Sequence, residues 1–328
     1  MEVLSYWRSE HSLPLTLASE RLQSVALKND RKAIFAKRLK RFVSIVLKLR
    51  RFPSMSLRNV QDIGGCRAIF SSRKKLIQTL RDLKRLPEFR WADGKVRIKD
   101  YIQKPKPGGY RSVHIIGLFP SESRQTRRIE VQLRTRIQHY WATALEIVDL
   151  FTQQALKSNQ GDPEWRELFR ELGEHFELMD SIHLFEGMNL AAKRRAYRDR
   201  IRDDLIHQQS AKEIRLCCKK LRVMKKFAAY AGSLVVVDEQ LSELKQPGFV
   251  LLKIDLEGQK VDSTVFAEDN SRSAEAEYTS LEAATANAGG VVVALVSSTA
   301  VGGIKEAYPN YFADSSEFVQ LLGLILED

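Results

Sequence analysis

The sequence predicts an α+β fold: a mixed β-sheet with flanking helices, then a helical arm, then a small second β/α domain. Three observations support this prediction. Short apolar or alternating stretches separate amphipathic helical patterns up to residue 150, helical periodicity dominates from 164 to 230, and the composition changes after residue 232. A chain of 328 residues is long enough for two compact domains with a connector. We therefore predict three regions, at residues 1–155, 156–231 and 232–328.

The first region is predicted to contain a sheet with helices packed on it. Helical periodicity with good helix formers covers residues 15–49 and indicates two helices that are separated near residues 28–30. The next elements alternate in type, because apolar runs of strand length are followed by charged amphipathic runs. In chain order they are a strand at 66–70, a helix at 73–86, strands at 96–99, 113–119 and 127–134, and a helix at 135–150.

The second region is a basic helical connector, and the third is a separate domain. Residues 164–230 are helical in pattern, rich in Lys and Arg, with a break near Gly187. The third region begins with two alternating stretches that are joined by the turn residues Glu257 and Gly258. Its predicted elements are strands at 249–254 and 261–266, a helix at 273–286, a strand at 291–297 and a final helix at 315–326.

Composition excludes several classes of protein. A hydrophobic content of 44% and a charged content of 29% are typical of a globular chain. The longest uncharged run, at 283–304, is broken by polar residues, and only Val291–Val296 within it is strictly apolar. The N-terminus lacks the layout of a secretion signal. The three cysteines include the adjacent pair Cys217 and Cys218, which suits neither a disulfide framework nor a metal site. We expect a cytoplasmic protein.

Charge is distributed unevenly along the chain. From residue 246 onward there are four Lys or Arg and thirteen Asp or Glu, which gives this segment a charge of −9. The rest has 49 basic and 28 acidic residues, a charge of +21. Such asymmetry indicates either a polyanionic partner or an internal electrostatic pairing. A solvated charged surface is the alternative for any single run of charge.

One predicted strand carries a row of polar side chains. Successive side chains of a strand face opposite ways, so the apolar residues at 129, 131 and 133 share one face. Glu130, Gln132 and Arg134 share the other face. Burial of the apolar set would leave an acid, an amide and a guanidinium in a row on the open face. An ordinary amphipathic strand without chemistry is the alternative.

A second acid and a basic loop accompany this row. Asp62 comes just before the apolar strand at 66–70, beside two glycines, where turn chemistry is also common. Carboxylates on neighbouring strand ends are a usual way to hold Mg²⁺ against nucleotide phosphates. The loop at 99–114 joins prolines and glycines to Tyr110, whose flat ring suits a nucleobase. Cations that suit phosphates surround these groups: Arg38, Lys40, Lys48, Arg67, Lys99, Lys106 and Arg111.

Four sequence blocks resemble a known family. They are DIGGCR (62–67), KDYIQKPKPGGYRSVH (99–114), IEVQLRT (129–135) and WAT (141–143), and their order and spacing are similar to those in the synthetase domain of the RelA/SpoT homologues. The resemblance covers roughly residues 20–150. It implies a nucleotidyltransferase-like sheet and transfer of the β,γ-pyrophosphate of ATP to a ribose 3′-hydroxyl, with release of AMP.

The resemblance also implies roles for single residues. Asp62 would hold Mg²⁺, and Glu130 would orient or deprotonate the attacking hydroxyl and share the metal. ATP would be bound by residues of the segment 37–48 and by the last residue of the block at 62–67: Arg38, Lys40, Ser44, Lys48 and Arg67. Tyr110 would stack on the base of the acceptor. Near it would lie Lys99, Lys106, His114 and Gln132.

The end of the chain resembles a particular branch of this family. The acidic module that contains AYPNYFADSSEF (307–318) is similar to the pseudo-zinc-finger domain of the fused toxin–antitoxin proteins called CapRel. This resemblance implies that Tyr308 and Tyr311 block the ATP site until a phage capsid-type protein binds. A pair of tyrosines packed in a turn is the alternative. Zinc is not predicted, since no cysteine follows Cys218 and no histidine follows His207.

The acceptor is open between two classes of molecule. The toxic branch modifies the 3′ CCA end of tRNA, whereas the small alarmone synthetases modify GDP or GTP. The charge of +21 outside the last segment favours tRNA, because affinity for a nucleic acid increases with the number of cationic side chains that contact its phosphates. An inactive binding module is a third hypothesis. The presence of both Asp62 and Glu130 disfavours it.

Overall fold

The computed structural model describes residues 2–40, 42–152, 154–230, 233, 248–258, 260–285, 290–297 and 311–327. They belong to two compact units. The first is built from residues 1–139 and 176–196, and the second from residues 140–175 and 197–328. The functional boundaries at 155 and 231 stay predictions. None of the helices in these ranges has the length and apolar character needed to cross a membrane.

The first unit is organised by a five-stranded sheet with the strand order β1-β2-β5-β4-β3. Only β2 and β5 are parallel, and the other neighbouring strands are antiparallel, so the predicted mixed sheet is confirmed. The strands span Ile34–Leu39 (β1), Gly64–Phe70 (β2), Arg97–Asp100 (β3), Val113–Pro120 (β4) and Thr126–Thr135 (β5).

The helices of this part of the chain span Glu2–Ser9 (α1), Ser12–Asn29 (α2), Phe42–Arg51 (α3) and Arg73–Leu83 (α4), and α5 (Arg136–Thr152) follows β5 directly. Of these, α2 and α4 pack on one face of the sheet. The core combines apolar residues of α2 and α4 with every second residue of the central strands, among them Val131 and Leu133. Because strand side chains alternate, the opposite face of β5 carries Glu130, Gln132 and Arg134. The sequence pattern predicted this division.

The predicted second helix at the start of the chain is partly wrong. Residues 34–39 form β1, and only 42–51 are helical. Phe35 and Leu39 pack against the core while Ala36 and Arg38 occupy the other face, which is a strand period rather than a helical one. Spacings of four residues between apolar positions fit both periods, so pairing with β2 decides the outcome. Arg38 therefore lies on a strand, and Ser44 and Lys48 lie on α3.

A buried aspartate explains the break near residues 28–30. Asp30 ends α2, and its wholly buried carboxylate accepts hydrogen bonds from the backbone N–H of Ser71 at 2.8 Å and from Lys75 Nζ at 2.9 Å. It also accepts from the Ser71 hydroxyl and the Lys32 backbone N–H. Burial raises the pKa of this carboxyl, but these bonds together keep its pKa below the usual value. One carboxylate thus ties the end of α2 to the end of β2 and the start of α4.

The chain after α5 is helical and then β/α, as predicted. Its helices include α6 (Pro163–Ser181), α7 (Leu190–Ile201), α8 (Leu205–Lys220) and a stretch over 223–230 (α9), and a 3₁₀ turn at Phe185–Gly187 gives the predicted break. The boundaries between the two units fall within α5, α6 and α7. The antiparallel sheet β7-β6-β8 is formed by Gly248–Asp255 (β6), Lys260–Ala267 (β7) and Val291–Ser297 (β8), with the helix Ser271–Thr285 (α10).

The final helix, α11, spans Tyr311–Leu326 and so begins before the predicted residue 315. Its apolar face supplies Phe318, which packs against Phe227 with ring centroids 4.9 Å apart. Tyr308 lies outside the described residues, and so does the side chain of Tyr311. The similarity of this domain to a pseudo-zinc finger stays a prediction.

Candidate active site

The register of the sheet aligns the predicted site residues in two rows on its open face. Residues that stand directly opposite each other on paired strands share a face. One row crosses all five strands through Arg38, Gly65, Glu130, Ile116 and Arg97. The next row crosses all five strands through Ala36, Arg67, Gln132, His114 and Lys99. Six of the predicted site residues thus share one surface.

Glu130 lies at the centre of a hydrogen-bonded chain. Its Oε1 accepts from Gln132 Nε2 at 2.7 Å, and its Oε2 lies 3.2 Å from His114 Nδ1. The other ring nitrogen of His114 lies 2.8 Å from the Tyr110 hydroxyl, to which Arg134 donates at 2.7 Å. Two of the acceptor-binding residues predicted from the sequence, Gln132 and His114, therefore contact the predicted catalytic acid directly, and a third, Tyr110, is linked to it through His114.

These contacts set the charges of the chain. Burial raises the pKa of Glu130, but the hydrogen bond and positive charge of His114, with the bond from Gln132, lower that pKa to about 2. Burial lowers the pKa of His114, whereas Tyr110 and Glu130 raise it above the ordinary value. Burial likewise raises the pKa of Tyr110, and the charges of Arg134, His114 and Arg67 bring it well below the usual range. The site thus holds an ionised carboxylate beside an imidazole whose protonated form is favoured.

Asp62 lies just before β2 and is bound by two lysines. Its carboxylate oxygens accept hydrogen bonds from Lys40 Nζ at 2.7 Å and from Lys48 Nζ at 2.8 Å. Burial raises the pKa of Asp62, but these two ammonium groups keep its pKa below the ordinary value. The charge of Lys48 also lowers the pKa of Glu130. Lys48 therefore acts on both carboxylates, which places Asp62 and Glu130 in one electrostatic site.

Arg67 and Arg38 line the same face nearer its β1 edge. Arg67 donates to Gln132 Oε1 at 3.1 Å from its NH2 group. Arg38 is half-buried and stands opposite Gly65 of β2, which in turn stands opposite Glu130 of β5. Because Gly65 has no side chain, no side chain lies between Arg38 and Glu130 in this row. A Cβ placed on Gly65 would meet only the backbone oxygen of Glu130, at 3.6 Å. Gly65 thus leaves a low gap in the row between Arg38 and Glu130.

The loop before β4 presents Tyr110 among cations. Its half-buried ring has Lys106 Nζ 4.7 Å and the Arg134 guanidinium 5.0 Å from the ring centroid. Gly109 has a φ of 88°, a left-handed conformation that glycine favours, so one of the two glycines is required by the turn. The sequence prediction did not include Arg134 or Tyr101 among the site residues. Alternation along β5 signals Arg134, while Tyr101, 5.9 Å from Tyr110 between centroids, has no such signal.

The remaining predicted residues are more loosely placed. Lys99 is exposed opposite His114 at the β3 edge of the row. Ser44 lies on α3, and its side chain is not among the described residues. Their roles in binding stay predictions.

The two carboxylates fit the magnesium ion that the resemblance implies. Among the described residues, no group of three or more His, Cys, Asp or Glu side chains could hold a metal. Mg²⁺ is commonly bound by one or two carboxylates, and water and substrate phosphates complete its six oxygens. Asp62 and Glu130 are both ionised and match that donor set.

A family description matches part of the chain. Residues 37–147 match the "Region found in RelA / SpoT proteins". The GTP pyrophosphokinase YwaC of Bacillus subtilis is 36% identical over 116 residues, which is 32% of this chain and 52% of that protein. The GTP pyrophosphokinase YjbM of the same organism is 31% identical over 114 residues, 32% of this chain and 51% of that protein. The chain spans about half the length of these curated relatives.

Solved structures give matches of the same kind. The small alarmone synthetase 1 of Bacillus subtilis bound to its product pppGpp is 20% identical, with 55% of this chain and 94% of that chain covered and a TM-score of 0.47. A GTP pyrophosphokinase family protein from Streptococcus pneumoniae is 19% identical, with coverages of 61% and 93% and a TM-score of 0.45.

Proposed function

We propose, from the premise that residues 37–147 form a RelA/SpoT synthetase region, that this chain is an ATP-dependent pyrophosphokinase. In this reaction a ribose 3′-oxygen attacks the β-phosphorus of ATP. The bond between that phosphorus and the oxygen bridging to the α-phosphate breaks, and AMP leaves. The observation that carries the proposal is the pair of ionised carboxylates, Asp62 and Glu130, under the shared charge of Lys48.

In this proposal the site residues contribute by positioning the substrates and by neutralising the charge of the phosphates. Bound Mg²⁺, held by Asp62 and Glu130, would neutralise phosphate oxygens. Glu130 would orient the attacking 3′-hydroxyl and either take its proton or direct that proton to water as the bond to phosphorus forms. Lys40, Lys48, Arg38 and Arg67 would bind the triphosphate and adenine. His114 and Gln132 fix the position of Glu130.

We propose the 3′ CCA end of tRNA as the acceptor. The charge of +21 outside the acidic segment supports a polyanionic substrate. GDP or GTP is the second candidate, and the names of the curated relatives, both GTP pyrophosphokinases, favour it.

The acceptor can be identified by following the γ-phosphate. The chain is used in two forms, unaltered and carrying Tyr308→Ala, which removes the restraint proposed below, and each is incubated with Mg²⁺, γ-labelled ATP and either deacylated tRNA or GDP. We expect the Tyr308→Ala chain to label the tRNA but not tRNA whose terminal ribose has been oxidised by periodate, since that ribose lacks the 3′-hydroxyl. Label only on the guanosine nucleotide would exclude the tRNA acceptor. Absence of label from both acceptors with the Tyr308→Ala chain would contradict pyrophosphokinase activity.

We further propose that the region 232–328 restrains this activity in anti-phage defence. Tyr308 and Tyr311 would block the ATP site, and a phage capsid-type protein would release them. The charge of −9 after residue 246 supports an intramolecular restraint, because a tether raises the effective concentration of an oppositely charged partner. Exposed charge pairs are individually weak, so the tyrosines would set closure.

Removal of the restraint is expected to be toxic. Expression of Tyr308→Ala should stop growth of the host without a trigger, whereas Tyr278→Ala, on α10 of the same domain, should not. Addition of Glu130→Gln to Tyr308→Ala should restore growth if the toxicity comes from the proposed site. Normal growth of cells in which the Tyr308→Ala protein accumulates would count against the restraint.

A further inference from the structure

A cavity of about 740 Å³ opens near the end of β4 and the start of β5. Its volume lies within the range of about 300–1,000 Å³ that is usual for ligand pockets. Its lining, which includes the indoles of Trp7 and Trp91 and the guanidinium groups of Arg58, Arg127 and Arg128, contains no acidic residue. All of these residues belong to the first unit. The cavity therefore combines aromatic surfaces with positive charge, and no role assigned above uses it.

The cavity adjoins the proposed active site. Arg128 precedes Glu130 by two residues on β5, so both side chains share the open face and lie about 7 Å apart along the strand. Trp91 is held over β4 by a hydrogen bond from Nε1 to the Ile116 oxygen at 3.4 Å, and the Arg128 guanidinium lies 5.1 Å from its ring centroid. Tyr110 meets β5 at Arg134. Along β5 the cavity and Tyr110 are thus on opposite sides of Glu130.

The charges in the cavity are only partly neutralised. Arg127 lies 4.6 Å from the Trp7 ring centroid, and Glu10 compensates it at 2.7 Å. Within the part of the chain that the structure describes, Arg58 forms no hydrogen bond or ion pair and is exposed. Arg128 has only its contact with Trp91 there. The buried Trp7 Nε1 also has no acceptor among these residues. The cavity can therefore still accept an anion and a hydrogen-bond acceptor.

We propose that this cavity binds the nucleotide that precedes the reacting 3′-terminal nucleotide of an RNA acceptor. Indole faces stack on bases of any sequence, and arginines bind the connecting phosphates. With the terminal base at Tyr110 and its ribose at Glu130, the next nucleotide continues along β5 to Arg128 and Trp91. Free GDP or GTP is a single nucleotide and has no second nucleotide that could occupy this cavity. The inference rests on the proposed function and specifies how the site selects a polynucleotide.

The test measures RNA binding apart from catalysis. A 5′-fluorescein oligoribonucleotide that ends in CCA is titrated with the full chain, and anisotropy gives the Kd at several salt concentrations. We expect Trp91→Ala to raise this Kd about 10- to 100-fold and Trp91→Phe, which keeps an aromatic face, to raise it much less. Arg58→Ala should weaken binding and reduce the salt slope by about one. Arg85→Ala, which changes an exposed arginine just after α4 that does not line the cavity, is the matched control.

Transfer assays then separate this inference from the proposed function. Trp91→Ala should raise KM for tRNA and leave transfer to GDP, where it occurs, unchanged. If the Tyr308→Ala chain labels tRNA but Trp91→Ala and Arg58→Ala bind the oligonucleotide as tightly as the unaltered chain does, the cavity inference is wrong and the function stands. If only GDP is labelled while Trp91→Ala still weakens oligonucleotide binding, the tRNA acceptor is wrong and the cavity remains an RNA site. Failure of the unaltered chain to bind the oligonucleotide would overturn the inference.

Discussion

Glu130→Gln is expected to lower the rate of pyrophosphate transfer by about 10²- to 10⁴-fold, the range found when a positioned charged group is removed from an active site. The amide keeps the size of the side chain and can still accept from Gln132, but it carries no charge for Mg²⁺ or the attacking hydroxyl. Lys48 and His114 both interact electrostatically with the Glu130 carboxylate. Loss of the carboxylate charge is therefore expected to lower kcat. The measurement is transfer of labelled pyrophosphate under saturating ATP, with every chain also carrying Tyr308→Ala so that the proposed restraint is absent.

Two controls make this result specific. Glu122→Gln changes an exposed glutamate in the turn between β4 and β5, and we expect it to match the unaltered chain. ATP binding by Glu130→Gln, measured by calorimetry, should change far less than the rate, because the triphosphate is assigned mainly to Lys40, Lys48 and the arginines. A rate within about fivefold of the unaltered chain would remove Glu130 from the mechanism.

Much of this surface follows from strand periodicity. Alternation along residues 127–134 was sufficient to place Glu130, Gln132 and Arg134 on one face, and the structure has them there. β1 escaped prediction because the spacing of Phe35 and Leu39 suits a helix as well as a strand. Only the ladder with β2, a contact across about thirty residues of sequence, decides between the two.

Contacts between distant segments were outside the reach of sequence patterns. The link from Glu130 through His114 to Tyr110 depends on the register of β4 against β5 and on the turn at Gly109. The double action of Lys48 depends on how α3 follows β1. The cavity brings together Trp7 and Trp91, which are more than eighty residues apart in the sequence, and neither residue belongs to a motif. The secondary-structure propensity of a segment does not indicate which distant segments it will contact in the fold.

Tyr110 is expected to show two separable effects, because its ring and its hydroxyl have different partners. Tyr110→Ala removes the surface proposed to stack on the acceptor base, and one base–aromatic stack contributes about 1–3 kcal/mol. We therefore expect its KM for the acceptor to rise about 10- to 100-fold. Tyr110→Phe keeps the ring but removes the hydroxyl that joins His114 to Arg134. We expect this variant to keep its acceptor KM and to lose about tenfold in kcat, since His114 then holds Glu130 less firmly.

Steady-state kinetics on both variants decide between these roles, with Tyr101→Phe as the matched control. Tyr101 packs edge-on against Tyr110 and His114, but its hydroxyl makes no hydrogen bond within the described residues, so its removal should change neither parameter. An unchanged acceptor KM in Tyr110→Ala would show that base stacking is not required. An unchanged kcat in Tyr110→Phe would show that the hydroxyl does not position the catalytic carboxylate. The ring is proposed to contact the acceptor base, and the hydroxyl belongs to the hydrogen-bonded series that ends at Glu130. A raised acceptor KM in Tyr110→Ala together with a lowered kcat in Tyr110→Phe would therefore make Tyr110 the link between acceptor binding and the reacting centre.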